Sequence, residues 1–263
     1  MPILSPVRHL FTIALIFVVT QSFAQKWSNH QVFWGRLVLT DTINSRLRWE
    51  LFIQKRTQND YAGDANIFHS DQFDSYWFWL NYSVNKNLKF SVSPFGYFKS
   101  YVLNTQSSDA DIAPVKEWRW CARVEQGTSG RYFNFANRWS AEYRYRDLKN
   151  NGDWQPNWRL RYMIRFDKPV KGLLSDTKPV VFTISNELFL QAGKAVKGNP
   201  NIFDQNRLYG GASYEIIRNV KLSVGYIYGF QERVSGKDFD HINYYWVILT
   251  FDNLISQFRN RHS

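Results

Sequence analysis

The chain has a single cysteine, Cys121, among its 263 residues. One thiol excludes a disulfide framework and any zinc site built from four cysteines. The only long apolar run, residues 10–19, is shorter than the roughly 20 residues that a helix needs to span a bilayer, so a polytopic helical membrane protein is also excluded. Aromatic residues, by contrast, make up 18% of the chain. This content excludes a disordered protein, because so many aromatic side chains require burial.

The sequence also lacks the common catalytic signatures. It contains no glycine-rich phosphate loop, no nucleophile elbow, no His-Glu-x-x-His segment and no paired-cysteine metal motif. We therefore expect a protein that is not an enzyme and has no cofactor. Acidic residues are outnumbered by 33 Lys and Arg to 22 Asp and Glu. The arginines follow strand alternation rather than clustering on a helix or loop, so nucleic acid is not the expected partner.

The first 24 residues have the composition of an export signal. Arg8 and His9 precede the apolar run, and the small residues Ser22 and Ala24 follow it. This order is typical of a cleaved secretory signal peptide. The sequence therefore predicts a signal peptide at 1–24 and one exported domain at 25–263. In an oxidising compartment, the lone thiol of Cys121 is expected to be buried on a strand.

Polar and apolar residues alternate along most of the remaining chain, in segments of about ten residues separated by turn residues. This period is typical of β-strands. Eleven strands are predicted, at 27–39, 47–58, 73–84, 89–98, 118–124, 131–146, 158–166, 179–190, 206–216, 220–233 and 241–251. A twelfth over 254–260 would give the even number usual in single-chain bacterial barrels, so we expect ten to twelve strands.

The connections between these strands alternate in length, which distinguishes a barrel from other all-β folds. Short turns such as 85–87 and 217–219 alternate with long polar loops such as 59–72 and 102–115, although 167–178 is longer than this rule predicts. The pattern favours an antiparallel, up-and-down transmembrane β-barrel in the bacterial outer membrane. Such a location implies outer-membrane lipid, lipopolysaccharide and the barrel-assembly machinery as partners. A soluble exported β-sandwich with one wet face is the alternative fold.

Arginines dominate the polar face of the predicted strands, and in a barrel that face surrounds the lumen. The candidate lumen residues are Arg48, Arg56, Arg119, Arg123, Arg138, Arg144, Arg159, Arg161 and Arg165. Two interpretations stay open. Arginine and glutamate could interlock across strands and fill the lumen, or the excess of arginine could line a narrow anion-selective pore for small anions or acidic oligosaccharides.

Two long loops carry residues that suit a hydrolase of protease or lipase type at the outer rim. These residues are His69, Asp71, Asp74, Asp238, Asp240 and His241. Aspartate and histidine together can activate water or bind a divalent cation. The adjacent His69 and Ser70 do not suit a serine-histidine pair, because their side chains point apart on an extended backbone. Polar residues are in any case the usual content of outer loops.

Several short segments resemble one known family. They are Phe33-Trp34-Gly35, residues 45–50 (SRLRWE), the turn 85–88 (NKNL), residues 137–145 (NRWSAEYRY) and Gly225-Tyr226. Together they are similar to the exported barrel family catalogued as domain of unknown function 2490, common in Bacteroidetes-type bacteria. The resemblance implies an outer-membrane barrel and covers nearly the whole exported part of the chain. It implies no catalytic residue, because the family has no assigned activity.

Overall fold

The computed structural model describes residues 27–60 and 64–259, so the predicted signal peptide lies outside the described residues. The described residues form eleven strands, and in most of them successive side chains alternate between the two faces of the sheet, as the sequence predicts. The strands are β1 (Trp27–Thr42), β2 (Leu47–Gln58), β3 (Ser70–Ser83), β4 (Leu88–Ser100), β5 (Val115–Ser129), β6 (Asn134–Asp147), β7 (Trp154–Val170), β8 (Val180–Ala192), β9 (Phe203–Ile217), β10 (Val220–Glu232) and β11 (Phe239–Phe251).

The eleven strands close into one barrel in sequence order. This confirms the all-β barrel, and the alternative of a β-sandwich is wrong. The expectation of antiparallel pairing throughout is also wrong at one place, because β1 and β11 pair in parallel, from Trp27 opposite Phe239 to Leu39 opposite Phe251. The reason is geometric. In an up-and-down order, the first and last of an odd number of strands run in the same direction.

The predicted strand over 254–260 does not form. The chain instead turns after β11 into one helical turn, Ser256–Arg259. The carboxylate of Asp41 holds this turn, because its Oδ2 accepts hydrogen bonds from the backbone N–H groups of Ile255 (2.5 Å) and Ser256 (2.8 Å). Among the described residues, no helix has the length and apolarity needed to cross a bilayer.

The two rims of the barrel differ in the length of their connections. At the short-turn rim the connections are 43–46, 84–87, 130–133, 171–179 and 218–219, and at the long-loop rim they are 59–69, 101–114, 148–153, 193–202 and 233–238. The asymmetry follows the sequence prediction except at 171–179, which is longer than 148–153 and 233–238. The unexpectedly long connection after β7 becomes shorter, because β7 continues to Val170.

The long loop 101–114 folds into the barrel rather than away from it. Its Leu103 packs against a buried cluster three strands away around the barrel. The cluster comes from β1, β10 and β11 and contains Val32, Trp34, Ile227, Ile242 and Tyr244. Gln58 ties the loop down further, since its Nε2 donates to the carbonyl oxygen of Val102 at 2.8 Å. The loop therefore narrows the lumen near the long-loop rim.

The outer face of the barrel is apolar and exposed. Trp120, Leu160 and Ile184 are 43%, 54% and 62% exposed, on β5, β7 and β8 respectively. Alternation explains this placement, because the side chains flanking them along each strand point into the lumen. An exposed apolar surface on many neighbouring strands is unusual for a protein that lives in water.

Candidate functional site

One side of the lumen is a network of ion pairs, which we name the paired wall. It is carried by β5, β6, β7 and β8, and contains Glu117, Arg119, Arg138, Glu142, Arg144, Arg146, Arg159, Arg161 and Glu187. Residues directly opposite on neighbouring antiparallel strands lie close enough to interact, and register places Arg159 opposite Glu142.

Glu142 is the centre of the paired wall, and its side chain is fully buried. Its carboxylate lies 2.6 Å from Arg161 Nη1, 2.7 Å from Arg159 Nη2 and 3.3 Å from Arg119 Nη1. Glu117 plays the same part nearer the long-loop rim, where it contacts Arg119 and Arg144 at 2.6 and 2.7 Å. Buried carboxylates are stable only with such partners. The glutamates and arginines therefore fix one another in place.

The other side of the lumen is lined by rings, and we name it the aromatic wall. It is carried by β1, β3, β4 and β11, and contains Trp34, Trp77, Trp79, Phe98, Tyr244 and Trp246. Trp77 lies 4.7 Å from Trp79 and 5.3 Å from Phe98 between ring centroids. Cys121 packs into this cluster and is buried, as its sequence position predicts.

Four lumen arginines approach the aromatic wall instead of a carboxylate. Arg36, Arg56, Arg123 and Arg207 have no Asp or Glu oxygen within 4.0 Å among residues 27–60 and 64–259. Their guanidinium groups lie over rings, as in Arg123 over Trp79 at 3.8 Å and Arg56 over Trp34 at 3.6 Å. Cation–π attraction of this kind partly replaces a counter-ion. The positive charge of these side chains is therefore left without a fixed anionic partner.

A cavity of about 990 Å³ separates the two walls. Its lining extends from Val234 at the long-loop rim to Asp167 near the short-turn end of β7. A second cavity of about 810 Å³ lies among the short turns and is lined by Lys86, among others. Arg165 and Asp167 line both cavities. These two side chains are themselves paired, at 2.9 Å between Arg165 Nε and Asp167 Oδ2.

The structure places the nine predicted arginines on the inner face but divides them into groups. Seven line the large cavity: Arg56, Arg119, Arg138, Arg144, Arg159, Arg161 and Arg165. The guanidinium group of Arg123 lies over the Trp79 ring, and Arg123 does not line the large cavity. Arg48 lies at the short-turn rim, where it donates to Thr40 Oγ1 and pairs with Asp252 at 2.6 Å.

Sequence reasoning missed Arg36 and Arg207 and every ring of the aromatic wall. Both arginines line the large cavity, on β1 and β9, where alternation is weak because apolar residues occupy both faces. In β1, for instance, Phe33 and Leu37 point outward while Val32 and Trp34 point inward. A strand that is apolar on both faces in an otherwise alternating barrel is the signal that could have indicated an aromatic lumen wall.

The rim residues considered for hydrolysis form separate groups. His69 lies 3.3 Å from Asp64, while Asp71 and Asp74 pair with Lys55. On β11, Asp240 contacts His30 and Arg233 at 3.0 and 2.6 Å. The His241 ring lies 4.5 and 5.6 Å from the ring centroids of Trp27 and Phe230, tilted to both, and it contacts the Tyr228 hydroxyl. No group of three or more His, Cys, Asp or Glu residues suited to a metal occurs within the described part of the chain.

Comparisons with known proteins identify the family. The family model described as "Protein of unknown function (DUF2490)" matches residues 31–240, and the chain belongs to this family. No curated protein matches the chain. Among solved structures, it is similar to "NanC porin structure in rhombohedral crystal form", with a TM-score of 0.48 and 11% identity. That likeness covers 84% of this chain and 97% of the other.

Proposed function

We propose that this family member is a narrow, anion-selective transport barrel of the bacterial outer membrane, without enzymatic activity. The observation that carries the proposal is the pair of cavities that share Arg165 and Asp167. Together their linings reach both rims of the barrel. An aqueous path lined by an excess of arginine attracts anions and repels cations.

The charges of the lumen support anion selectivity. The paired wall alone holds six arginines against three glutamates, and Asp204 adds one carboxylate at 3.4 Å from Arg159. The four arginines over the aromatic wall add positive charge with no carboxylate beside them. This positive potential favours small anions, including acidic oligosaccharides.

The outer surface supports the membrane location. Its exposed tryptophan, leucine and isoleucine side chains form the apolar belt that lipid requires. The closed sheet satisfies the backbone hydrogen bonds between strands, which is the condition for strands to cross a bilayer. Fractionation of cells that express the full chain tests this location. Recovery in the outer-membrane fraction is expected, and recovery as a detergent-free soluble protein would contradict it.

Single-channel recording of the refolded chain in a planar bilayer tests the transport function. We expect steady conductance steps that prefer chloride over potassium. Arg165→Gln, at the junction of the two cavities, should lower the anion preference, and Asp167→Asn should raise it. Arg131→Gln is the matched control, because it removes one positive charge from an exposed turn.

Two results would contradict the channel. One is a folded barrel, shifted in its migration by heating, that never conducts, because this would mean that the paired wall and loop 101–114 fill the lumen. The other is a selectivity that Arg165→Gln and Asp167→Asn leave unchanged.

A further inference from the structure

Three of the four arginines that lack a carboxylate partner form a compact group around one indole ring. The guanidinium carbons of Arg56, Arg36 and Arg207 lie 3.6, 5.2 and 5.4 Å from the centroid of Trp34. We name these three residues the arginine triad. All three side chains line the large cavity, as does Trp34.

The polar partners of the triad leave its charge uncompensated. Arg36 donates from Nη2 to Gln54 Oε1 at 2.8 Å, and Arg207 donates from Nε to Gln205 Oε1 at 3.0 Å. Both acceptors are neutral amides. Three like charges around one ring repel each other, and a carboxylate placed among them would reduce the repulsion.

Arg56 gives the second, independent indication of a ligand. Its residue is only 6% exposed, and its Nε has no hydrogen-bond partner among the described residues. A buried charged donor without a partner costs free energy. Yet Arg56 is part of the cavity lining, so an anion in the cavity can reach its side chain.

The surroundings of the triad indicate what else the ligand carries. Trp34, Phe73, Tyr244 and Trp246 all line the large cavity as well. Arg56 also lies 4.5 Å from the Phe73 ring, between guanidinium carbon and centroid. Guanidinium groups bind carboxylates in a planar, two-pronged geometry, while aromatic rings favour flat apolar surfaces.

We propose that the arginine triad is a discrete binding site for a small organic carboxylate that has a flat apolar face. The carboxylate accepts hydrogen bonds from the triad, and the flat face packs on the rings of the aromatic wall. This inference rests on the proposed function, since the site would bind the anion during its passage through the lumen. The paired wall has no comparable place, because its arginines already contact glutamates.

Calorimetric titration of the detergent-refolded full chain tests the site without requiring an open channel. Benzoate is the probe, with acetate, chloride and the neutral benzamide as comparisons. We expect benzoate to bind at least about tenfold more tightly than any of the other three, because only benzoate offers both the charge and the flat face. Equal binding of benzamide or of acetate would overturn the proposal.

Single substitutions test whether benzoate binds at the arginine triad. Arg56→Gln and Arg207→Gln should each weaken benzoate by about tenfold or more, whereas Arg131→Gln should leave binding within about twofold of the parent. Circular dichroism and heat-dependent migration establish that each variant folds, and if Arg56→Gln does not, Arg36→Gln replaces it. Benzoate binding that survives loss of the triad charges would overturn the proposal.

The two proposals fail in different ways. Benzoate that binds to a barrel with no conductance supports the site and contradicts the channel. Anion-selective conductance without benzoate binding supports the channel and contradicts the site.

Discussion

The paired wall and the aromatic wall place arginine in the same lumen by opposite means. In the paired wall, each buried glutamate contacts two or more arginines at 2.6 to 3.6 Å. In the aromatic wall, guanidinium groups lie over rings and have no carboxylate beside them. The first arrangement is rigid, because any displacement leaves a buried charge without a partner. The second leaves the cation without a fixed anionic partner.

Glu142→Gln should have the largest effect, because it breaks the paired wall at its centre. The substitution keeps the shape of the side chain but removes the charge that three arginines share. We expect the free energy of unfolding to fall by about 3–5 kcal/mol, measured by urea titration in detergent. Glu215→Gln is the control, since Glu215 lies at the end of β9 in a partly exposed pair with Lys178, and such pairs contribute about 0–1 kcal/mol. Equal losses would mean that burial does not distinguish the two pairs.

Leu103→Ala should loosen loop 101–114, which is anchored on the aromatic wall. Leu103 is partly buried against the cluster around Trp34, and losing most of its side chain should cost about 1–2 kcal/mol of local stability. Hydrogen exchange of the Asn104 amide, which donates to Gln58 Oε1, should then be faster by roughly 5- to 30-fold. Leu173→Ala, in the exposed turn 171–179, should not change it.

Arg123→Met should lower the free energy of unfolding only slightly, which tests whether arginines over the aromatic wall stabilise the fold less than those of the paired wall. Arg123 lies over Trp79 with no carboxylate within reach, so its removal leaves no buried anion unpaired. The expected loss is no more than about 1 kcal/mol, the size of a cation–π contact. Arg161→Met is the counterpart in the paired wall, because Arg161 contacts both Glu142 and Glu187. Its loss of stability should be several times larger, and similar losses would contradict the division into two walls.

Acid should loosen loop 101–114 through its carboxylate Asp109. Burial raises the pKa of Asp109, but hydrogen bonds from Thr105 and Gln106 outweigh it, so the pKa lies below its ordinary value. A lowered folded pKa gives a stabilisation that is complete above the unfolded pKa of about 3.9 and is lost as the pH falls through the folded value. Protection of the Thr105 amide from exchange should therefore hold at pH 5 and decline only below about pH 4. Asp109→Asn should abolish that decline, and protection lost well above pH 5 would contradict it.

The sequence predicted the strands well because alternation is a local property. The segment 47–58 has polar and apolar residues on opposite faces, and β2 begins at Leu47 and ends at Gln58 as expected. The parallel closure was not predictable from any one strand, because it depends on the count of all of them. The prediction of a strand over 254–260 was wrong because it rested on the even strand number expected of a barrel. In the structure, Asp41 instead holds a helical turn there.

The candidate site was predictable only where arginine alternates with apolar residues. Arg159 and Arg161 could be assigned to the lumen from their spacing, but spacing does not say which of them meets a glutamate. Contacts such as Arg56 over Trp34 join strands that neighbour each other in the sheet, and they depend on register and on which face each ring occupies. The inward fold of loop 101–114 depends on the contact of Leu103 with side chains of β1, β10 and β11, which are distant in sequence, so no local pattern indicates it.

Because β1 and β11 are parallel, the start of β1 and the end of β11 lie at opposite rims of the barrel. Trp27 starts β1 at the long-loop rim, whereas Phe251 ends β11 at the short-turn rim. A linker fusing these ends in a circular permutant would have to cover roughly 40 Å, the length of the 13 paired residues at about 3.3 Å each. Extended between β1 and β11, it would run antiparallel to both neighbours. A permuted chain with such a linker would therefore acquire a twelfth strand and become an even, wholly antiparallel barrel.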